Sequence, residues 1–337
     1  LQFLHYNPSS SRVEIAAALT EAPNERTLKR IIAECVRCGD IVVEGKGKAT
    51  RYSLSAQAHL MMPLNIETYF DNEVDERKVQ ESFNFKLIRE VLPQVTLFTA
   101  EETARLETAH NSFLANMSTL SDLEYRKEME RLGVDLSWKS SQIEGNTYSL
   151  LETERLLKEK ETAQGKTKEE AVMLLNHKDA LDFILDCPDY LKELSVRRLE
   201  DIHSILTKEL GVGNGIRKRR VGITGTNYRP LDNEFQIREA LEDTCQLING
   251  KDNVFEKALL ALVLLSYIQA FTDGNKRTAR ISSNAILIAW GYCPISFRTV
   301  DSVEYKKAML MFYEQNNIAA FKQIFIEQYE FAVKNYF

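Results

Sequence analysis

The sequence predicts a mainly α-helical protein: a helical bundle with a small β-hairpin flap, preceded by a smaller α+β unit. Three observations carry this expectation. Apolar residues recur at helical spacing from about Pro63 onward. Capping pairs are frequent there: Ser149 with Glu152, Thr167 with Glu170 and Asp301 with Glu304. β-Branched alternation is confined to two short stretches, near residues 41–54 and 215–233.

Composition bounds the rest. The chain has 337 residues, 44% hydrophobic and 27% charged, which is globular usage and argues against a disordered chain. At ~150 residues per domain the length fits two units, placed at 1–58 and 59–337. The longest apolar run, Ala258–Leu265, falls far short of the ~20 residues a membrane span needs, so no membrane association is expected. No charged-then-apolar leader opens the chain, and Leu1 in place of Met predicts that an upstream piece is missing. Cys35, Cys38, Cys187, Cys245 and Cys293 are odd in number and lack framework spacing, so a reducing cytoplasm is expected. Cys35 and Cys38 form a C-x-x-C without a second ligand pair, and read as neighbours on one helix face.

The first unit reads in order. Ser11 caps a helix to about Leu19, with Val13, Ile15, Ala16 and Leu19 as its apolar stripe. Asn24 caps a second helix with Leu28, Ile31, Ile32 and Cys35 inward, and Gly39 stops it. Ile41-Val42-Val43 and Arg51-Tyr52-Ser53-Leu54 form a hairpin around two glycines. Helix, turn, helix and hairpin resemble a winged helix-turn-helix domain whose first helix ends near Leu4. That resemblance places Arg26, Lys29 and Arg30 on the reading helix and Lys46, Lys48 and Arg51 on the wing. Residues 1–56 hold eight basic and six acidic residues, a net of +2, which leaves −8 for the other 281. This is a thin cationic surface for phosphate, so two uses stay open: DNA binding and protein–protein contact.

In the body, Ser195 begins a helix ended by Gly211, Gly250 follows another, and Gly291 ends one starting near Asn275. Gly215 to Asn233 interrupts the helices, with Arg220 to Ile223 and Tyr228-Arg229-Pro230 flanking a Thr-Gly-Thr-Asn turn. The most informative stretch is Phe271 to Arg280, where an apolar helix ends, Asp273-Gly274 turns, and a new helix opens. Free N–H groups and the positive dipole end at that start make an anion site. Gly274 admits a close phosphate, and Asp273 is a hard ligand suited to Mg²⁺. Arg277 and Arg280 share one helical face. An ordinary capped turn with two solvated arginines is the alternative.

These ten residues resemble the signature of the Fic family. Arg217 to Pro230 is similar to that family's flap, and Ser140 to Asn146 to its inhibitory motif, on a helix near 133–146. The resemblance covers roughly residues 60–337, with the three matches in the family's order. It implies transfer of AMP from ATP to a protein hydroxyl. By position, Asp273 would hold Mg²⁺, while Gly274, Asn275, Lys276 and Arg277 would meet the α- and β-phosphates and Arg280 the γ-phosphate. Val221, Gly222 and Ile223 would dock a target by strand addition. Ser140, Glu144 and Gly145 would form the inhibitory element, with Glu144 paired to Arg280.

One departure alters the expectation. Gln269 stands where the family has its catalytic His, followed by Ala270 in place of Pro. A Gln amide cannot accept a proton near neutral pH, and loss of a general base typically costs 10²–10⁴-fold in rate. His5, His110, His177 and His203 are not brought to the site by any sequence argument. The expected function is therefore an ATP-binding, weak or degenerate adenylyltransferase restrained by Glu144. Its partners would be ATP with Mg²⁺ and a protein target or itself, with homodimer formation left open. Active AMP transfer without the family His, and a winged-helix regulator with the body as sensor or dimerisation unit, are the alternatives.

Overall fold

The structure, a computed structural model, describes residues 1–19 and 23–337. The N-terminal segment contains α1 (Gln2–Tyr6), α2 (Arg12–Ala17), α3 (Glu25–Arg37) and a two-stranded antiparallel hairpin, β1 (Ile41–Glu44) with β2 (Arg51–Leu54). Ser11 and Glu14 form a reciprocal capping box on α2, and the Asn24 side chain caps α3. Gly39, at φ +82°, ends α3 in the left-handed conformation. Leu4, Ile15, Leu28, Ile32 and Ile41 bury together as a core of their own.

Three expectations of burial fail here. Val13 and Ile31 are exposed, because a helix of six residues and one of thirteen can each turn only a narrow stripe onto so small a core, and Leu19 is exposed because α2 already ends at Ala17. The cations of the segment are also partly neutralised. Glu25 pairs with Arg12 and Lys29, and Glu34 with Arg37, while Arg26, Arg30, Lys46 and Lys48 are exposed and outside any ion pair among the described residues.

The body is helical: α4 (Ala56–Met61), α5 (Ile66–Phe70), α6 (Ala100–Met117), α7 (Asp122–Ile143), α8 (Leu150–Glu159) and α9 (Lys168–Asp186) lead in. It continues with α10 (Val196–Leu206), α11 (Glu234–Gly250), α12 (Val254–Ile268), α13 (Asn275–Ala289), α14 (Ser302–Gln315) and α15 (Ala319–Tyr336). Every residue of α12 is buried, as befits a helix apolar on all sides, and it forms the axis of the bundle. α13 packs along it and also meets α7, α9 and α10. Truncating a fully buried leucine of this axis, Leu262→Ala for example, would cost about 2–5 kcal/mol. No helix among the described residues is long and apolar enough to cross a membrane.

The hairpin expected over 215–233 is absent. That segment is an irregular loop whose one ladder contact is an isolated parallel bridge between Ser82 and Arg229. Its shape comes from a side chain. The buried Arg217 guanidinium donates to Gln269 O, Arg219 O and Leu231 O, so both arms are tied at the base without a backbone ladder. The chain between α4 and α6 braces the tip, with Arg77 Nη2 donating to Gly225 O at 2.7 Å and Asn227 Nδ2 to Asp75 Oδ1 at 3.0 Å.

Candidate functional site: an anion cradle at the start of helix α13

The junction between α12 and α13 is fixed by side chains. α12 ends as Gln269 turns left-handed, at φ +52°. Its Nε2 donates back to Ser266 O at 2.6 Å, while its own carbonyl receives Arg217 Nε. Asn275 then spans the turn: its Oδ1 accepts from Phe271 N–H at 2.8 Å and its Nδ2 donates to Phe271 O at 2.7 Å. His203 stacks on the Phe271 ring at 3.8 Å and donates from Nε2 to Asp273 O at 2.9 Å. Burial lowers the pKa of His203, so the ring is neutral near pH 7.

Gly274, at φ +81°, opens α13 without a side-chain cap. A Cβ there would stand 3.0 Å from Thr207 Cγ2 and 3.4 Å from His203 Cδ2, so both conformation and space demand glycine. The first intrahelical bond runs from Thr278 N–H to Gly274 O, leaving the N–H groups of Asn275, Lys276 and Arg277 without an intrahelical acceptor. Such a helix start is favourable for an anion.

The side chains differ in availability. The Asn275 amide is consumed by Phe271, so its backbone is the part left to serve a phosphate. Arg277 is buried, with Nη1 donating to Leu206 O at 3.2 Å and Nη2 to Asp273 Oδ2 at 3.0 Å. The Asp273 carboxylate is 65% exposed, and its other oxygen has no hydrogen-bond partner among the described residues. Among the described residues no cluster of three ligating side chains exists. One accessible carboxylate fits Mg²⁺ shared with substrate phosphates, the usual way this ion is held.

Arg280 is fully buried. Its Nε donates to Ser140 Oγ at 2.8 Å and its Nη2 to Ser140 O at 2.9 Å; Nη1 reaches Tyr305 Oη at 3.4 Å. Nη2 also meets Glu144 Oε1 at 2.8 Å, and the other Glu144 oxygen lies 3.6 Å from Lys276 Nζ. Burial alone would raise the Glu144 carboxyl, but Arg280 and Lys276 outweigh it and hold the pKa below the usual range. Glu144 caps α7, and Gly145 turns the chain at φ +101°. Asn146 then anchors the turn through Glu170 O at 2.9 Å.

Two adjoining hollows flank this cluster. One of about 150 Å³ is lined by Glu144, Val221, Gly222, Asp273, Lys276 and Arg277, among others. The second, about 390 Å³, lies between the loop residues Gly222 to Thr224 and the α14 residues Tyr305, Lys306, Met309, Leu310 and Tyr313. Glu144, Gly222, Gln269 and Lys276 line both, and the larger falls within the size range of small-molecule sites. The α14 wall was missed in the sequence, although Tyr305, Met309 and Tyr313 recur every fourth residue.

None of the five histidines lines either hollow. His177 is buried and neutral beside the arginines, and His110 stacks on Tyr292 at 3.8 Å. His5 and His59 stack at 4.2 Å where α1 meets the body. Burial raises Tyr313 well above its ordinary value, so it offers no base either. The DNA-directed residues Arg26, Lys29, Arg30, Lys46, Lys48 and Arg51 all belong to the N-terminal segment and line neither hollow. Cys35 and Cys38 are free thiols.

The central helix of the bundle thus turns through Asp273-Gly274-Asn275 into an uncapped helix start. Residues 193–287 match the Fic/DOC family model, so this chain carries a Fic domain. Over 170 residues it is 29% identical to the protein adenylyltransferase fic-1 of Caenorhabditis elegans, covering 48% of this chain and 33% of that protein. It is 30% identical over 176 residues to the protein adenylyltransferase Fic of Nematostella vectensis, covering 50% of this chain and 40% of that one. The chain thus spans about a third to two fifths of the length of these relatives. Among solved structures, Fic-1 (aa134–508) from C. elegans superposes with a TM-score of 0.61 at 23% identity, covering 70% of this chain and 72% of that one. A Fic domain containing signaling protein from Bacteroides thetaiotaomicron gives 0.59 at 18% identity, covering 68% and 94%. At these identities the likeness of the structures is one of fold.

Proposed function

We propose that this chain binds ATP with Mg²⁺ at the start of α13 and transfers AMP weakly to protein hydroxyls, itself or a target, under restraint by Glu144. The observation that carries the reading is the Glu144–Arg280 pair, 2.8 Å long, beside the unpaired N–H groups of residues 275–277. A triphosphate seated on those N–H groups, with its last phosphate directed to Arg280, would compete with the Glu144 carboxylate for the same guanidinium. In the transfer, a hydroxyl oxygen attacks the α-phosphorus, the bond to pyrophosphate breaks, and the hydroxyl proton must leave. Positioning by the helix start and the charges of Lys276, Arg277 and Arg280 remains. No histidine stands beside Gln269 to take the proton, so the rate should be low by about 10²–10⁴-fold.

The test uses ATP labelled at the α-phosphate, with Mg²⁺, on wild type, Glu144→Gly and Glu144→Gly/Gln269→His. Slow covalent labelling by the single variant and faster labelling by the double variant are expected. Absence of labelling from the double variant would contradict the transferase reading. A melting temperature indifferent to ATP in every variant would contradict binding itself.

A second reading concerns the N-terminal segment as a winged, duplex-DNA-binding unit attached to a sensing body. Its support is the exposure of Arg26, Arg30, Lys46 and Lys48 without ion-pair partners among the described residues. Retention on duplex DNA that falls steeply with salt is the expected result; no retention at low salt would contradict it.

A further inference from the structure

We infer that the outer side of the loop at 218–224 docks an extended, acidic segment of the target protein, anchored by an apolar side chain on Phe235. This deepens the transferase reading above and rests on it.

Three cations, Lys218, Arg219 and Arg220, directly precede the residues that line the two hollows, yet none of the three lines either one. They are exposed, the side chains of Lys218 and Arg220 to 77% and 85%. They are therefore not used by a nucleotide in the cradle. Lys218 lies 3.5 Å from Glu234 and Arg220 2.6 Å from Asp232, while Arg219 has no ion-pair partner among the described residues. Exposed pairs of this kind are weak and exchange readily for an incoming carboxylate. On a chain of net charge −6, this cationic run stands out against its surroundings.

Backbone and shape agree. Among the described residues, no N–H from Lys218 to Gly225 donates a hydrogen bond, so Val221 to Ile223 present an open edge for a strand-like peptide. The Lys218–Arg220 run sits two to four residues from the middle of that edge, roughly 7–13 Å along an extended chain. Carboxylates within a few positions of the modified residue would meet it. Phe235, next to the loop at the start of α11, is 81% exposed, an aromatic with nothing packed over it. Aromatic anchors of this kind carry a large share of binding where a partner covers them.

Fluorescein-labelled Glu-Glu-Thr-Phe-Glu-Glu and its Gln-for-Glu counterpart serve as probes, read by anisotropy on the full chain with ATP and Mg²⁺. The acidic peptide is expected to bind about ten-fold tighter at low salt and to lose that advantage at ~0.5 M salt. The variant Lys218→Gln/Arg219→Gln/Arg220→Gln should bind both peptides alike while keeping its melting shift with ATP. Phe235→Ala should weaken both peptides several-fold. Equal affinity for the two peptides, or an advantage that survives the triple substitution, would overturn the inference. So would a single-stranded oligonucleotide that displaces the acidic peptide through the same three cations. Loss of the ATP shift with peptide discrimination intact would instead count against the nucleotide reading alone.

Discussion

Glu144 and Arg280 meet at 2.8 Å across 136 positions of sequence, one at the last turn of α7 and the other on the second turn of α13. The guanidinium is wholly buried, and its remaining bonds go to Ser140 and Tyr305. The pair neutralises a buried cation, and under the function proposed above it would also compete with a terminal phosphate for that guanidinium.

Glu144→Gln should reveal the structural share of that pair. The amide keeps the shape and removes the charge, so urea unfolding near pH 7 should show a loss of about 1–3 kcal/mol. The wild-type contribution is present above the unfolded carboxyl pKa and fades as the pH falls through the lower folded value. Equal stability of wild type and variant across that acid limb would contradict the account.

Gly274→Ala tests the cradle. A side chain at φ +81° costs about 1 kcal/mol in conformation, and its Cβ would press on Thr207 Cγ2 at 3.0 Å. The expected result is a lower melting temperature together with loss of any ATP-induced shift. A variant as stable as wild type that still responds to ATP would refute the tight-turn description.

Arg77 is the brace of the loop. Its Nη2 holds Gly225 O, its Nη1 lies 3.3 Å from Glu314, and its guanidinium sits 4.9 Å over the Phe70 ring. Tyr69 Oη donates to the same Glu314 carboxylate at 2.6 Å. Arg77→Met strands a buried charge and should cost about 3–5 kcal/mol, with part restored by adding Glu314→Gln. Limited trypsinolysis should cut faster after Lys218, Arg219 or Arg220 in the single variant. An unaltered cutting rate would mean that the loop holds its shape without this brace.

Acid should weaken the junction between α1 and the body. His5 Nε2 bonds Gln315 Oε1 at 2.9 Å, and burial, with the neighbouring His59, lowers its pKa from 6.5 to about 4. The unfolded chain takes up a proton near pH 6.5 that the folded chain refuses, so stability falls with acid below that point and levels off below about 4. By pH 5 this single group accounts for about 2 kcal/mol, read as the difference between wild type and His5→Gln in unfolding at pH 7 and pH 5. Parallel curves would contradict the buried, neutral histidine.

Much of this was written in local residue chemistry. The capping pairs Ser149–Glu152 and Thr167–Glu170 and the Asp301 cap stand where the spacing put them, because a cap involves only neighbours in sequence. The turn through Asp273-Gly274 was equally legible. The loop at 215–233 was not: alternating residues suggested a hairpin, but Arg217 ties its arms by long-range bonds no local pattern encodes. That the Asn275 amide closes the turn on Phe271 was not legible either. Ile31 and Val13 were placed inward from periodicity alone, which says which residues share a face but not how much core exists to cover them. Arg77 carried no signal at all, since its partners lie far away on α14 and the loop.

Calorimetric titration of ATP with Mg²⁺ into wild type and Glu144→Gly tests the central claim most directly. Removal of the competing carboxylate should tighten binding by about ten-fold or more, equivalent to ~1.4 kcal/mol. Equal affinity in the two proteins, or no heat of binding in either, would contradict it.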